Sequence, residues 1–133
     1  MTKHFVLPFI IVAALASIAD GAIRTEKIEY EHGGKTLEGM VAWDDARPGK
    51  RPGVLVVHEW WGLNDYARER AKQLAELGYV AFALDMYGKG MVADSPDEAR
   101  SLATPFYADR SLMRGRATAG LQQLASHPLV DPE

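Results

Sequence analysis

The chain has 133 residues, enough for one domain of ordinary size. Its 47% hydrophobic and 25% charged content is that of a globular protein, and a net charge of −3 gives no electrostatic footprint for nucleic acid or an anionic membrane. With no cysteine, these residues hold no disulfide, no thiolate metal site and no cysteine nucleophile.

Lys3 and His4 precede an apolar run from Phe5 to Ala16, and small residues follow at Ser17 and Ala19. That pattern reads as a signal peptide over residues 1–19, cleaved before Asp20. The run is short for a membrane span and is interrupted by Pro8. The expectation is a secreted or periplasmic protein with no stable membrane anchor after cleavage.

Thr25–Glu31 partly alternates, with Ile28 and Tyr30 on one face, and His32-Gly33-Gly34-Lys35 is a tight-turn signal. Leu37, Gly39, Val41 and Trp43 then share a face, so a β-hairpin at the edge of a sheet is expected. Arg47, Lys50 and Arg51 are interleaved with Pro48, Gly49 and Pro52 and read as a solvated loop rather than an anion site. Val54–Val57 has no polar alternation, which suggests a strand buried on both faces. Asn64 is placed to cap the next helix, Ala67, Ala71, Leu74 and Ala75 give it an apolar stripe, and Gly78 sits at its C′ position. Tyr79–Leu84 is the next buried strand, completing a βαβ unit.

Ser95-Pro96-Asp97-Glu98 is a capping box, opening a short helix that Thr104-Pro105 should break near Ala103. A longer helix follows with Met113, Ala117, Leu121, Leu124 and Ala125 on one face, weakened by Gly115 and Gly120 and ended by His127-Pro128. Leu129–Glu133 reads as a loop approaching another strand, and the order of elements leads one to expect that strand after Glu133. The fold class is α/β: an edge hairpin, a βαβ unit and two further helices.

Ligands of open parallel sheets bind beyond the carboxyl ends of the strands, so the loops His58–Asn64 and Asp85–Gly90 should face one crevice. Glu59, just past a strand, suits proton exchange if desolvated. The backbone N–H of Trp60 is placed to meet an anion or a developing oxyanion, and the rings of Trp60 and Trp61 either wall a pocket or join the core. Gly62 permits a tight turn. His58 is a base, a ligand or a hydrogen-bonded structural residue. Asp85 and Tyr87 line the crevice or orient its loop, and Lys89 and Arg100 are candidate partners for a substrate carboxylate. No H-x-x-x-H or H-E-x-x-H spacing supports a metal, Gly88-Lys89-Gly90 lacks Walker spacing, and none of the serines sits in a G-x-S-x-G elbow.

Three stretches, "RPGVLVVHEWWGLN" (Arg51–Asn64), "LAELGYVAFALDMYGKG" (Leu74–Gly90) and "SPDEAR" (Ser95–Arg100), resemble the dienelactone hydrolase family of the α/β-hydrolase fold, over roughly Ile23 to Glu133. The resemblance implies a hydrolase of small-molecule esters or lactones with a Cys-His-Asp triad and no metal or organic cofactor. It implies that Glu59 tunes the thiol and that the Trp60 N–H contributes to the oxyanion hole. A substrate-binding arginine of some members falls near Arg100. The family's G-x-C-x-G nucleophile, Asp and His are absent here, so residues 20–133 are expected to form an amino-terminal, incomplete α/β-hydrolase domain, inactive alone. A serine esterase or peptidase fragment of the same fold, and a non-catalytic binding half-domain, are the alternatives.

Overall fold

The computed structural model describes residues 22–133. The expected signal peptide lies outside the described residues. Among them, no helix is long and apolar enough to cross a membrane.

Strands β1 (Ile23–His32) and β2 (Lys35–Asp44) form the hairpin, in register from Ile23 opposite Asp44 to His32 opposite Lys35. Gly33 and Gly34 turn it with φ of 60° and 72°, the left-handed conformation that a two-residue hairpin loop demands. Strand β3 (Gly53–Val57), helix α1 (Asp65–Glu76) and strand β4 (Val80–Leu84) follow, then helices α2 (Pro96–Ala108) and α3 (Arg110–Ala125). The sheet order is β1-β2-β4-β3, with β4 antiparallel to β2 and parallel to β3.

Every residue of β4 is buried, and its alternation divides the core. Ala81 and Ala83 face α1, where Ala67, Ala71 and Ala75 meet them with Met40 and Ala42 of β2. Val80, Phe82 and Leu84 point the other way, into the larger cluster with Tyr30, Leu37, Val41 and Leu124. Small side chains on one face let α1 lie close; bulky ones on the other hold the hairpin and α3. Phe82 fits because Gly39 has no side chain, since a Cβ there would collide with the Phe82 ring. The caps are as expected: the Asn64 side chain accepts from the Ala67 N–H at 3.2 Å, the Ser95 hydroxyl from the Glu98 N–H at 3.3 Å, and Gly78 takes φ 103°.

Four expectations are corrected. Val54–Val57 is not buried on both faces: β3 is the edge strand, with Val54, Leu55 and Val56 half-buried and Val57 exposed. An apolar run reports affinity for a core, not the number of neighbouring strands. Pro105 does not break α2, which continues to Ala108 with Pro105 inside it. That proline forfeits one backbone bond, and Asp109 then caps α3 by accepting from the N–H groups of Ser111 and Leu112. The buried face of α3 is also turned from the expected one: Arg116, Ala119, Gly120 and Leu124 are inside, and Leu121 and Ala125 are exposed. Gly115 and Gly120 account for the rotation, because a Cβ would stand 2.6 Å from the His32 ring at the first and 2.8 Å from Leu84 Cβ at the second. Finally, Arg51 is buried rather than solvated. Its guanidinium donates to the Asp44 carbonyl at 2.8 Å, and its backbone forms an isolated parallel bridge with Val130.

Candidate active site

The loops after β3 and β4 do share a crevice, and hydrogen bonds between them hold it. His58, buried at the end of β3, accepts the Met86 N–H on Nε2 at 3.1 Å. Its Nδ1 lies 2.6 Å from the Glu59 carbonyl oxygen. Because Nε2 accepts, the proton is assigned to Nδ1, which donates to Glu59. Burial holds the His58 imidazole below its ordinary pKa, against the opposing pull of the Glu59 carbonyl and the Asp85 carboxylate. With both nitrogens engaged, His58 is the hydrogen-bonded structural residue of the three possibilities its sequence position left open.

Tyr87 makes the second tie. Its hydroxyl donates to the Trp60 carbonyl at 3.1 Å, and its ring meets His58 edge-on at 4.9 Å and Phe106 at 5.4 Å. Burial pushes the Tyr87 phenol up. Asp85 orients its own loop: one carboxylate oxygen accepts from the N–H groups of Tyr87 and Gly88, each at 2.9 Å, and the other from the Glu38 N–H at 3.2 Å. Below it, the Arg116 guanidinium donates to the Met86 carbonyl at 2.8 Å. The Tyr30 hydroxyl, desolvated until its pKa is raised to about 12, bonds the Asp85 backbone.

Gly62 takes φ 95°, and a side chain there would strike the Met91 carbonyl. The tight turn read from sequence is therefore required, both by backbone angle and by space. It brings the Glu59 carbonyl a second donor, the Gly62 N–H at 3.2 Å, and lets Trp61 accept from the Ala93 N–H at 2.8 Å. The Trp60 N–H donates to no acceptor among the described residues. The Trp60 and Trp61 rings pack edge-on at 5.2 Å, with Trp60 the more exposed.

Trp60 and Glu59 border a cleft of about 280 Å³, walled by His58, Tyr87, Phe106 and Met113. Glu59 is exposed and its carboxylate makes no hydrogen bond among the described residues, so the desolvation its position suggested is not present; β3 is an edge strand and its loop opens to solvent. Lys89 and Arg100 stand apart from the cleft. Lys89 pairs with Glu29 and with Glu38, and Arg100 with Asp97 at 3.0 Å. A larger hollow of about 550 Å³ lies beyond the loop, beside Asp94, Asp97 and Glu98, away from these donors. No group of three or more His, Asp or Glu side chains is placed to hold a metal among the described residues. Sequence reasoning missed Phe106 and Met113 as cleft walls: the expected break at Thr104-Pro105 ended the helix near Ala103, short of Phe106.

The sequence profile of the Dienelactone hydrolase family matches residues 37–133. This chain belongs to the dienelactone hydrolase family. It is 40% identical over 88 residues to a protein of Aquifex aeolicus (strain VF5) named "Putative carboxymethylenebutenolidase", and 37% identical over 91 residues to "Protein usf" of Aquifex pyrophilus. Each match covers 64% of this chain and 36% of the relative. The crystal structure of a dienelactone hydrolase-like promiscuous phosphotriesterase from metagenomic libraries superposes with a TM-score of 0.80 at 42% identity, covering 84% of this chain and 46% of that one. The chain therefore has the α/β-hydrolase fold of that family and spans about a third to a half of these relatives.

Proposed function

We propose that this chain supplies the oxyanion side of a site that hydrolyses small carboxylic esters or lactones, with Glu59 and Trp60 as its contribution. The observation that carries the reading is the Trp60 N–H. Trp60 lines the cleft, beyond the carboxyl ends of β3 and β4, and its N–H has no acceptor among the described residues. An amide held at a cleft without an acceptor from the chain is suited to receive negative charge that develops during reaction. Glu59 adjoins it with a carboxylate not engaged elsewhere in the described structure.

In the full reaction, a thiolate adds to the acyl carbonyl carbon and the carbonyl electron pair moves to oxygen. Amides including that of Trp60 hold this oxyanion. Its collapse breaks the ester C–O bond, a histidine delivers the proton to the leaving oxygen, and water hydrolyses the acyl-enzyme. Glu59 sets the ionisation of the thiol before attack. These 133 residues contain no cysteine, so the reading requires a nucleophile from outside them. The phosphotriesterase relative makes a phosphotriester the second substrate class to assay, because a phosphoryl oxygen draws on the same amide.

Sequencing the source locus past the codon for Glu133 tests the proposal. An open frame leading into a strand and G-x-C-x-G supports it; a G-x-S-x-G elbow shifts it to the serine esterase reading; an immediate stop codon overturns it in favour of the non-catalytic half-domain. The purified chain is expected to show no turnover of 4-nitrophenyl acetate above buffer. A rate abolished by Glu59→Gln would place the nucleophile inside these residues and refute the division of labour.

A further inference from the structure

The peptide linking Glu59 to Trp60 has a carbonyl at one end and the candidate oxyanion donor at the other. No cis peptide occurs among the described residues, so this unit is trans and its C=O and N–H point in opposite directions. Whatever holds the Glu59 carbonyl therefore also aims the Trp60 N–H. The carbonyl has two donors, His58 Nδ1 at 2.6 Å and the Gly62 N–H at 3.2 Å. The nearer one is a side chain that is itself fixed: Nε2 is bonded to the Met86 N–H and the ring lies against Tyr87.

We propose that His58 is a positioning residue, whose Nδ1–H clamps the Glu59 carbonyl and thereby turns the Trp60 N–H out toward the cleft. The inference rests on the reading of Trp60 as an oxyanion donor, and it adds the group that pre-aims that donor. The reason to need such a clamp is local. Glu59 and Trp60 are exposed, and the strand before them has a neighbour on one side only, so neither the core nor the sheet fixes this peptide. His58 transmits order from β4, the most buried element, through Met86 to the loop of the edge strand. Tyr87 repeats the device one peptide further on by holding the Trp60 carbonyl. A preorganised donor costs no reorientation when charge develops, which is what makes such donors effective.

The test uses the full ¹⁵N-labelled chain, its His58→Phe variant, which keeps an aromatic ring but neither hydrogen bond, and its His58→Gln variant, which keeps one donor and one acceptor. Long-range ¹H–¹⁵N spectra of the unmodified chain should show the Nδ1–H tautomer. Its Trp60 N–H should be rigid, with an order parameter of about 0.85, and should fall below about 0.6 in His58→Phe while the amides of Val80–Leu84 stay rigid. His58→Gln should restore the Trp60 value. An Nε2–H tautomer, or a Trp60 order parameter unmoved by His58→Phe, overturns the proposal. If His58→Phe does not fold, the tautomer and the His58→Gln value still decide it. Titration with phenylphosphonate tests the underlying reading separately. A Trp60 amide that does not respond to this tetrahedral anion refutes the oxyanion role and leaves the clamp to be judged on the order parameters alone.

Discussion

Replacing Gly120 with alanine sets two terms of opposite sign against each other. Alanine is favoured over glycine inside a helix by about 1 kcal/mol, so propensity alone makes Gly120→Ala stabilising. The added Cβ, however, would stand 2.8 Å from Leu84 Cβ, 3.3 Å from its Cδ1 and 3.4 Å from its Cγ. Leu84 is fully buried on the central strand, and a Cβ moves only with its backbone. Relief therefore requires α3 to lift from β4, an overpacking cost of about 1–3 kcal/mol. The net expectation is a loss of up to about 2 kcal/mol. Each kcal/mol corresponds to a fall in Tm of about 4–8 °C for a domain near this size. Urea unfolding at unchanged m is the assay, with Gln122→Gly, exposed on the same helix, reporting the propensity term by itself. A midpoint raised by Gly120→Ala, by as much as Gln122→Gly lowers it, would mean that α3 does not pack on Leu84. The placement of Arg116 under Met86 would fall with it.

Two further outcomes follow from the buried polar groups of the loops. Burial lowers the His58 pKa, so the folded state prefers the neutral ring; its stabilisation is complete above the ordinary value of 6.5 and is lost as pH falls toward the lowered one. Facing it are the Asp85 carboxylate, the Tyr87 ring, the Glu59 carbonyl and the Met86 N–H, and His127, also lowered by burial, adds a slope of the same sign. The fall in urea midpoint between about pH 8 and about pH 5 should therefore shrink, without vanishing, in His58→Gln; an identical fall in both proteins would refute the assignment. Asp85→Ala leaves three N–H groups without their acceptor, at about 1–3 kcal/mol each, so chemical denaturation should show a loss of at least about 3 kcal/mol. Asp85→Asn, which retains an acceptor for Tyr87 and Gly88 but presents an NH₂ to the Glu38 N–H, should lose less, and equal losses would contradict the geometry.

Features determined by neighbouring residues were legible in the sequence. The Gly33-Gly34 turn, the Asn64 and Ser95 caps and the Gly78 terminus each depend on chemistry within four residues, and each is where it was expected. So were the hairpin at one edge of the sheet and the parallel βαβ unit that follows it. What failed depended on distant partners. The apolar side chains of α3 marked Leu121 as buried, but the contact face was decided by which positions lacked a side chain against His32 and Leu84. The Tyr87 bond to Trp60 spans 27 residues and leaves no local trace. His58 was recognisable as a residue of interest, yet its roles as base, ligand or staple could be separated only by the partners of its two nitrogens.

The edge position of β3 makes a residue-by-residue prediction. The Val80 N–H donates to the Pro52 carbonyl, so in a parallel pair Pro52, Val54 and Val56 direct their backbone groups toward β4. Arg51 points the opposite way, since its N–H donates to the Leu129 carbonyl and its carbonyl accepts from the Asp131 N–H. Gly53, Leu55 and Val57 continue that outward row, and it meets no partner among the described residues. Hydrogen exchange should therefore alternate along the strand: Val54 and Val56 protected to a level set by opening of the β3–β4 pair, Leu55 and Val57 exchanging close to the rate of an open chain. The parallel sense of the Arg51–Val130 bridge also gives a direction. A strand extending it along β3 runs toward His58 and Trp60, and would deliver its carboxyl end beside the free N–H. Protection of Leu55 and Val57 equal to that of Val54 and Val56, in the isolated chain at low concentration, would show that another strand already occupies this edge. Protection that grows with protein concentration would identify the occupant as a second copy, the outcome to expect when an edge of Val and Leu is left open.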